Sequence, residues 1–263
     1  MRLERKLQRL KATIAGCESA VAAFSGGVDS SLVCAVAHEV LGSRAVAVTA
    51  VSPTYPPEEL TTAKAVAERI GIGLLVVKTE EMNNPHFLKN PPDRCYHCKR
   101  ELLEKLEKIR VELGFKNILD GTNRDDLADL RPGLRALREF RVISPLAVAG
   151  LTKEEVRRLA SSYGLPNAEK PASPCLASRI PFGQEITAEK LKRIARGEGF
   201  LRSLGFRVVR VRDHETLARV EVGKEELPRA KELEERIRRG LKGLGYSSVE
   251  IDERGYRAGG ANL

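Results

Sequence analysis

Ala20-Val21-Ala22-Ala23-Phe24, then Ser25-Gly26-Gly27-Val28-Asp29-Ser30, then Ser31-Leu32-Val33-Cys34-Ala35-Val36: the reading of this 263-residue chain turns on this stretch. Five apolar residues in a row predict a buried strand, and the apolar run after Ser30 predicts a helix through Val40. Between them, two adjacent glycines let the backbone turn tightly and aim successive N–H groups at an anion. The helix points its positive end at the same place. Ser25 and Ser30 add hydroxyl donors, and Asp29 adds a carboxylate able to reach a Mg²⁺ that bridges phosphate oxygens. The loop lacks the Gly-Lys-Ser/Thr ending and the spacing of a Walker A sequence. A plain strand-to-helix turn capped by Ser and Asp is the other reading of the same residues.

Working outward, short apolar runs alternate with helical patterns. A first helix is expected over residues 3–15, and further strands over 45–51, 74–78, 117–120 and 140–144. Helices are expected at 58–70, at 95–113 and at 152–163, the last opened by Thr152 with Glu155 completing a capping box. Strands alternating with helices predict an α/β fold with a five-stranded parallel sheet covered on both faces. Pro166, Pro171, Pro174 and Pro181 then interrupt the periodicity, as an ordered loop or domain joint would. Beyond it come a helix (187–204), two alternating runs at Phe206–Arg212 and Leu217–Val222, a helix (224–241) and a strand (249–252). This predicts two domains, 1–180 and a smaller α+β domain over 181–263, ending in a loosely held tail.

Hydrophobic residues make up 42% of the chain and charged ones 31%, which excludes wholesale disorder. No apolar run reaches the ~18 residues of a membrane helix, and the charged N-terminus has no signal-peptide core. A cytoplasmic protein is expected. The net charge of +9 suits nucleotides, free phosphates or RNA without choosing among them.

Five cysteines in a reducing compartment need not form disulfides. Cys17 and Cys34 lie in apolar periodic surroundings and are expected to be packed. Cys95 and Cys98 open a helix between Arg94 and Lys99, where dipole and cations favour thiolates. Two ligands do not complete a zinc site. With Cys175 from the Pro-rich loop, three thiolates could instead hold a cubane iron–sulfur cluster with one iron left open. Zinc with His97 as fourth ligand, or an unliganded thiol pair, are the alternatives. Cys175 lies near Lys170 and Arg179, which would favour its thiolate, and a carboxyl-AMP is an electrophile that sulfur can attack.

Ser25–Ser30 after an apolar strand resembles the PP-loop of the N-type ATP pyrophosphatases, such as GMP, NAD and asparagine synthetases and the tRNA thiolases. The resemblance implies ATP cleaved between the α and β phosphates, Mg²⁺, and a sheet of the adenine nucleotide alpha-hydrolase type. It assigns ATP contacts to Ser25, Gly26, Gly27, Val28, Asp29 and Ser30, and to Gly121, Thr122 and Asn123 after the fourth strand, with Asp29 on the metal. By topology, Thr49 to Ser52 would meet the adenine.

Asn90-Pro91-Pro92-Asp93-Arg94-Cys95, Asp129-Leu130-Arg131-Pro132-Gly133-Leu134-Arg135-Ala136, Lys170-Pro171-Ala172-Ser173-Pro174-Cys175 and Arg210-Val211-Arg212-Asp213-His214 look like the LarE family of sulfur transferases. That likeness implies adenylation and sulfuration of both carboxyls of pyridinium-3,5-biscarboxylic acid mononucleotide, for nickel-pincer cofactor synthesis. Sulfur would come from a three-cysteine [4Fe–4S] cluster on Cys95, Cys98 and Cys175, or from Cys175 itself by β-elimination; the Cys95–Cys98 pair favours the cluster. Arg210 and Arg212 alternate in phase on one strand face and would meet the substrate phosphate, while Arg179 would steer a carboxylate. Glu198 and Glu221 match acidic positions near the family's site, Glu221 with metal binding by analogy. A homo-oligomer, a hexamer built from trimers, is also implied.

The main rival is a PP-loop tRNA thiolase with a cluster of its own. Against it, such loops commonly carry Lys where this chain has Val28, and no basic–aromatic tract or zinc ribbon is seen, so no nucleic-acid partner is expected. An amide-forming synthetase has no use for the three cysteines, and a non-catalytic ATP sensor has none for Asp29, Asn123 and Cys175 together.

Overall fold

The computed structural model describes residues 2–128, 132–171 and 173–257. Residues 129–131 of the second LarE-like stretch, Ala172 of the third and the last six residues of the expected loose tail lie outside the described residues. In chain order the elements are α1 (Arg2–Ala15), β1 (Ala20–Ala23), α2 (Val28–Leu41), β2 (Ala45–Val51), α3 (Pro57–Ile70), β3 (Gly73–Lys78), α4 (Pro85–Leu88), α5 (Arg94–Glu112), β4 (Asn117–Leu119), α6 (Gly133–Glu139), α7 (Pro145–Val148) and α8 (Lys153–Ser162). There follow α9 (Ala188–Ser203), β5 (Val209–His214), β6 (Leu217–Val222), α10 (Leu227–Glu232), α11 (Glu234–Lys242) and β7 (Ser248–Ile251). None of the described helices is long and apolar enough to cross a membrane.

The chain divides into two compact units. The first, residues 1–52, 57–81 and 93–173, contains a parallel sheet in the order β3-β2-β1-β4. Its central strands read Ala-Val-Ala-Ala and Ala-Val-Ala-Val-Thr-Ala-Val, small and apolar at every position but Thr49 because helices cover both faces. On one side α1, α2 and α8 bury Leu10, Ile14, Leu32, Val36, Val156 and Leu159 in one cluster. A second cluster gathers Tyr96, Leu103 and Leu106 of α5 with Val21, Val48 and Ile118.

The α/β class is as the sequence reads, but the described sheet has four strands and not five. The segment expected as the fifth strand makes a single parallel bridge, Leu119 to Ile143. Arg141 is forced to a left-handed φ of 54° where α6 ends, and Pro145 opens α7 only two residues after Ile143. Ladder pairing is squeezed to the bonds Ile143 N–H to Ile118 O (2.9 Å) and Asp120 N–H to Ile143 O (3.0 Å).

The second unit comprises residues 53–56, 82–92 and 174–263. It thus recruits two short segments from far upstream: Leu176 N–H donates to Thr54 O (2.8 Å) and Ile186 N–H to Leu88 O (2.9 Å). Its sheet has the order β5-β6-β7, antiparallel then parallel. Valines 209, 211, 220 and 222 face a core shared with Leu201, Ile237 and Leu241. The helix expected over 224–241 is broken: Lys224–Glu226 form a 3-10 turn, Pro228 stands in the first turn of α10, and Leu233, at φ −96° and ψ 9°, separates α10 from α11.

Candidate active site

In the first unit the site is built on the β1–α2 turn. Gly26 has φ +73°, and a Cβ there would stand 3.2 Å from that of Ala63, so conformation and space both require glycine. The Ser30 hydroxyl lies 3.1 Å from that of Ser25, accepts from Ser25 N–H at 3.2 Å and donates to Gly27 O at 3.1 Å. Ser31 also donates to Gly27 O (2.9 Å). Asn167, 3% exposed, pins the loop by donating from Nδ2 to Gly26 O and Ser31 Oγ, both at 2.8 Å.

The turn after β4 presses on this helix start. A Cβ at Gly121 would come within 2.8 Å of Ser30 N, so only glycine admits the approach. Asn123 donates from Nδ2 to Asp29 Oδ1 at 3.1 Å, and its own Oδ1 accepts the N–H groups of Asp125 (2.8 Å) and Asp126 (3.2 Å). Thr122 is held by buried Asp120, which also accepts from Ser144 at 2.6 Å. Val28, Asp29 and Ser30 form the first turn of α2, and the Gly121–Asn123 turn meets them through Gly121 at Ser30 and Asn123 at Asp29. Thr49 is buried and donates to Phe24 O (2.8 Å), locking β2 to the end of β1.

Two residues here escape the motif reading. Lys153, the first residue of α8, pairs its ammonium with Asp29 Oδ2. A cation at a helix's positive end is disfavoured unless an anion meets it, and that oddity in Thr152-Lys153-Glu154-Glu155 was the available signal. Asn167 had no local signal beyond its place in the Pro-rich stretch.

Cys17 and Cys34 are buried, and burial pushes both thiols up, as packed cysteines require. Cys95 and Cys98 stand one turn apart at the start of α5, the first exposed and the second half-buried. Their turn is braced by α6: the Arg135 guanidinium lies 3.5 Å from the Tyr96 ring centroid, and Tyr96 OH donates to Glu139 Oε2 at 2.9 Å. Lys170 extends to Glu59 (2.7 Å).

In the second unit, Cys175 caps the short 3-10 turn Leu176–Arg179 and is half-buried. Arg179 is fully buried and holds this loop: Nη1 donates to Pro174 O (2.7 Å) and Cys175 O (3.1 Å), while Nε and Nη2 fork onto Glu198 at 2.7 and 2.9 Å. Burial alone would raise the Glu198 carboxyl, but the bonds and charge of Arg179, aided by Arg210 and Arg202, hold it below its usual range. Arg210 and Arg212 share one face of β5, 5% and 3% exposed. Arg212 donates to Ser178 O (3.0 Å) and Glu221 Oε2 (2.7 Å), and burial followed by repulsion from Arg179 lowers the Arg210 guanidinium. Arg179, Glu198, Arg212 and Glu221 therefore form one hydrogen-bonded cluster around the Cys175 loop.

Comparison with known proteins sorts among PP-loop enzymes. The NAD synthase family model matches residues 3–94, covering the phosphate loop. An uncharacterized protein of Synechocystis sp. is 46% identical, aligned over 99% of this chain and 98% of its own length. The pyridinium-3,5-bisthiocarboxylic acid mononucleotide synthase of Lactiplantibacillus plantarum is 35% identical over 99% of this chain and 95% of its own. The chain belongs to the LarE family. A further relative, an uncharacterized protein of Methanocaldococcus jannaschii, is 32% identical over 90% of each chain. As a LarE-family PP-loop protein the chain is an ATP-using sulfur-transferring enzyme.

The donor sets bear on the implied metal groups. Asp29 offers one carboxylate beside the phosphate loop, which suits Mg²⁺, an ion that takes most of its ligands from phosphates and water. Cys95 and Cys98 in the first unit and Cys175 in the second are each at least partly exposed, and cysteine sulfur is the donor type an iron–sulfur cluster takes. Among the described residues no three His, Cys, Asp or Glu side chains already gather into a metal-sized group.

Proposed function

We propose that this chain adenylates the two carboxyl groups of pyridinium-3,5-biscarboxylic acid mononucleotide and converts them to thiocarboxylates. The observation that carries the reading is the Cys175 loop, held by Arg179 and joined through Arg212 to a cationic cluster in the same unit. In the first step a substrate carboxylate oxygen attacks the α-phosphorus of ATP, and pyrophosphate leaves. The amides and hydroxyls of Ser25 to Ser30, with Gly121, Thr122 and Asn123, orient the phosphates, and Lys153 can pass from Asp29 to them. Bound at Asp29, Mg²⁺ would neutralise charge on the leaving pyrophosphate. Sulfur then attacks the acyl carbon and AMP leaves with the C–O bond electrons.

Arg210 and Arg212 bind the substrate phosphate in this reading, and Arg179, whose donors are engaged, positions Cys175. Glu198 and Glu221 act by holding these guanidiniums. A [4Fe–4S] cluster on Cys95, Cys98 and Cys175 would supply a sulfide for transfer. The C-terminal unit would serve substrate binding and assembly into the trimer-based homo-oligomer, in the cytoplasm.

The test is anaerobic incubation with ATP, Mg²⁺, sulfide and the dicarboxylate. Formation of AMP, pyrophosphate and thiocarboxylate is expected, with Cys175→Ser losing thiocarboxylate and Cys95→Ser losing iron. No nucleotide consumption overturns the function. A polypeptide lightened by hydrogen sulfide after turnover, with full activity in Cys95→Ser, replaces the cluster by sacrifice of Cys175.

A further inference from the structure

After β7 the chain turns back on its own sheet. The Asp252 carboxylate accepts from Arg254 N–H (2.9 Å), and its carbonyl from Gly255 N–H (3.0 Å). Gly255 has φ +68°, and a Cβ there would press within 3.1 Å of Val222 O, so glycine makes the turn possible. Tyr256 N–H then donates to Val222 O at 2.7 Å, which lays residues 256 and 257 over the end of β6. The expected loose tail is thus tied down as far as Arg257. Arg212 Nη2 donates to the Arg257 carbonyl (3.1 Å) as well as to Glu221, and the Arg210 guanidinium carbon lies 4.8 Å from the Tyr256 ring centroid. Both strand arginines touch this segment.

Several buried polar atoms here find no hydrogen-bond partner among the described residues: Arg212 Nε and Glu221 Oε1 in the cluster, and Nε and Nη2 of Arg257, whose carbonyl Arg212 holds. The Asp252 carboxylate stands 3.8 Å from Arg257 Nη2, too far for a hydrogen bond, and both its oxygens are engaged by Arg254 at 3.0 Å. Nε and Nη2 form one planar edge of a guanidinium, the edge that binds two oxygens of a phosphate side by side. Withdrawing that edge from water without an acceptor is costly, so its surroundings suit an incoming anion. Five arginines (179, 202, 210, 212 and 257) here face three carboxylates (Glu198, Glu221 and Asp252), an imbalance that a phosphate dianion reduces.

We propose that Arg257 is a third phosphate ligand, gripping the phosphomonoester of the pyridinium mononucleotide through its Nε–Nη2 edge alongside Arg210 and Arg212. This rests on the substrate reading above. It assigns the C-terminal segment, which the motifs leave out, to discrimination between a mononucleotide and its nucleoside.

The experiment measures equilibrium binding of pyridinium-3,5-biscarboxylic acid mononucleotide and of its dephosphorylated nucleoside to the full-length wild type, Arg257→Met and Arg257→Lys. Arg257→Met is expected to weaken the mononucleotide about 10- to 100-fold and leave the nucleoside unchanged. Arg257→Lys should recover part of the loss, because charge survives without the fork. ATP affinity should stay at the wild-type value in both. Unchanged mononucleotide binding in Arg257→Met overturns the assignment, as does an equal loss of both probes. A wild type that binds neither probe overturns the substrate reading itself, and this inference with it.

Discussion

The phosphate loop and the arginine cluster both present positive potential, yet they are made from opposite materials. At residues 25–30 the charge is that of backbone amides and a helix end, arranged by two glycines and by hydroxyls within six residues of one another. Around Cys175 it is that of full guanidiniums, buried to 5% exposure or less at 179, 210 and 212 and held by Glu198 and Glu221. Dipoles cost little to bury because their own chain satisfies them. Buried charges are expensive, and each needs a partner that tertiary structure must deliver. The first site therefore draws its charge from one short segment, with Asn123, Lys153 and Asn167 only bracing it, whereas the second stands or falls with its unit's packing.

Substitutions can break that contrast, beginning with the largest expected effect. Asp29→Asn should lower pyrophosphate release about 10²- to 10³-fold with little change in melting temperature, because it removes charge from a locally built site. A large stability loss instead would place Asp29 in the same class as the buried cluster. Glu198→Gln should do the reverse and destabilise the protein by roughly 3 kcal/mol near neutral pH, since Arg179 then stays buried without its countercharge. The sign of its pH dependence follows from the depressed Glu198 carboxyl. Its stabilisation is present above the ordinary value of 4.5 and is lost as pH falls through the lower folded-state value. Wild type and Glu198→Gln should thus converge in denaturation midpoint on acidification; a gap independent of pH would show that packing, not charge, holds the loop.

Gly121→Ala sharpens the other side. A Cβ 2.8 Å from Ser30 N must push the β4 turn off α2, costing about 1–3 kcal/mol and weakening ATP binding while leaving mononucleotide binding intact. Equal weakening of both ligands would contradict the separation of roles. The smallest effect belongs to Thr152→Ala, which removes the capping box that starts α8 and presents Lys153. About 1 kcal/mol of stability should be lost, with a modest rise in the KM for ATP.

The parts legible in the sequence are those whose causes are near neighbours. The Gly26–Gly27 turn, the first turn of α2, the Thr152–Glu155 capping box and the alternation in β5 and β6 all appear where short-range chemistry places them. The fifth strand failed because Arg141 and Pro145, on either side of an apolar run, leave it room for one bridge. Helical periodicity over 224–241 hid the break at Leu233, since a single non-helical residue hardly disturbs the pattern of apolar spacing.

Sequence alone determined the strand–turn–helix phosphate loop, the parallel α/β class and the LarE likeness of the Cys175 stretch, because each is written in residues that touch their own neighbours. Only the tertiary structure decided that Lys153 and Asn123 share Asp29, that Asn167 pins Gly26, and that residues 53–56 and 82–92 join the C-terminal unit. It alone brought Arg257 to Arg212 across 45 positions of chain. Such pairings depend on where the folded backbone delivers a side chain, and no local preference encodes that meeting.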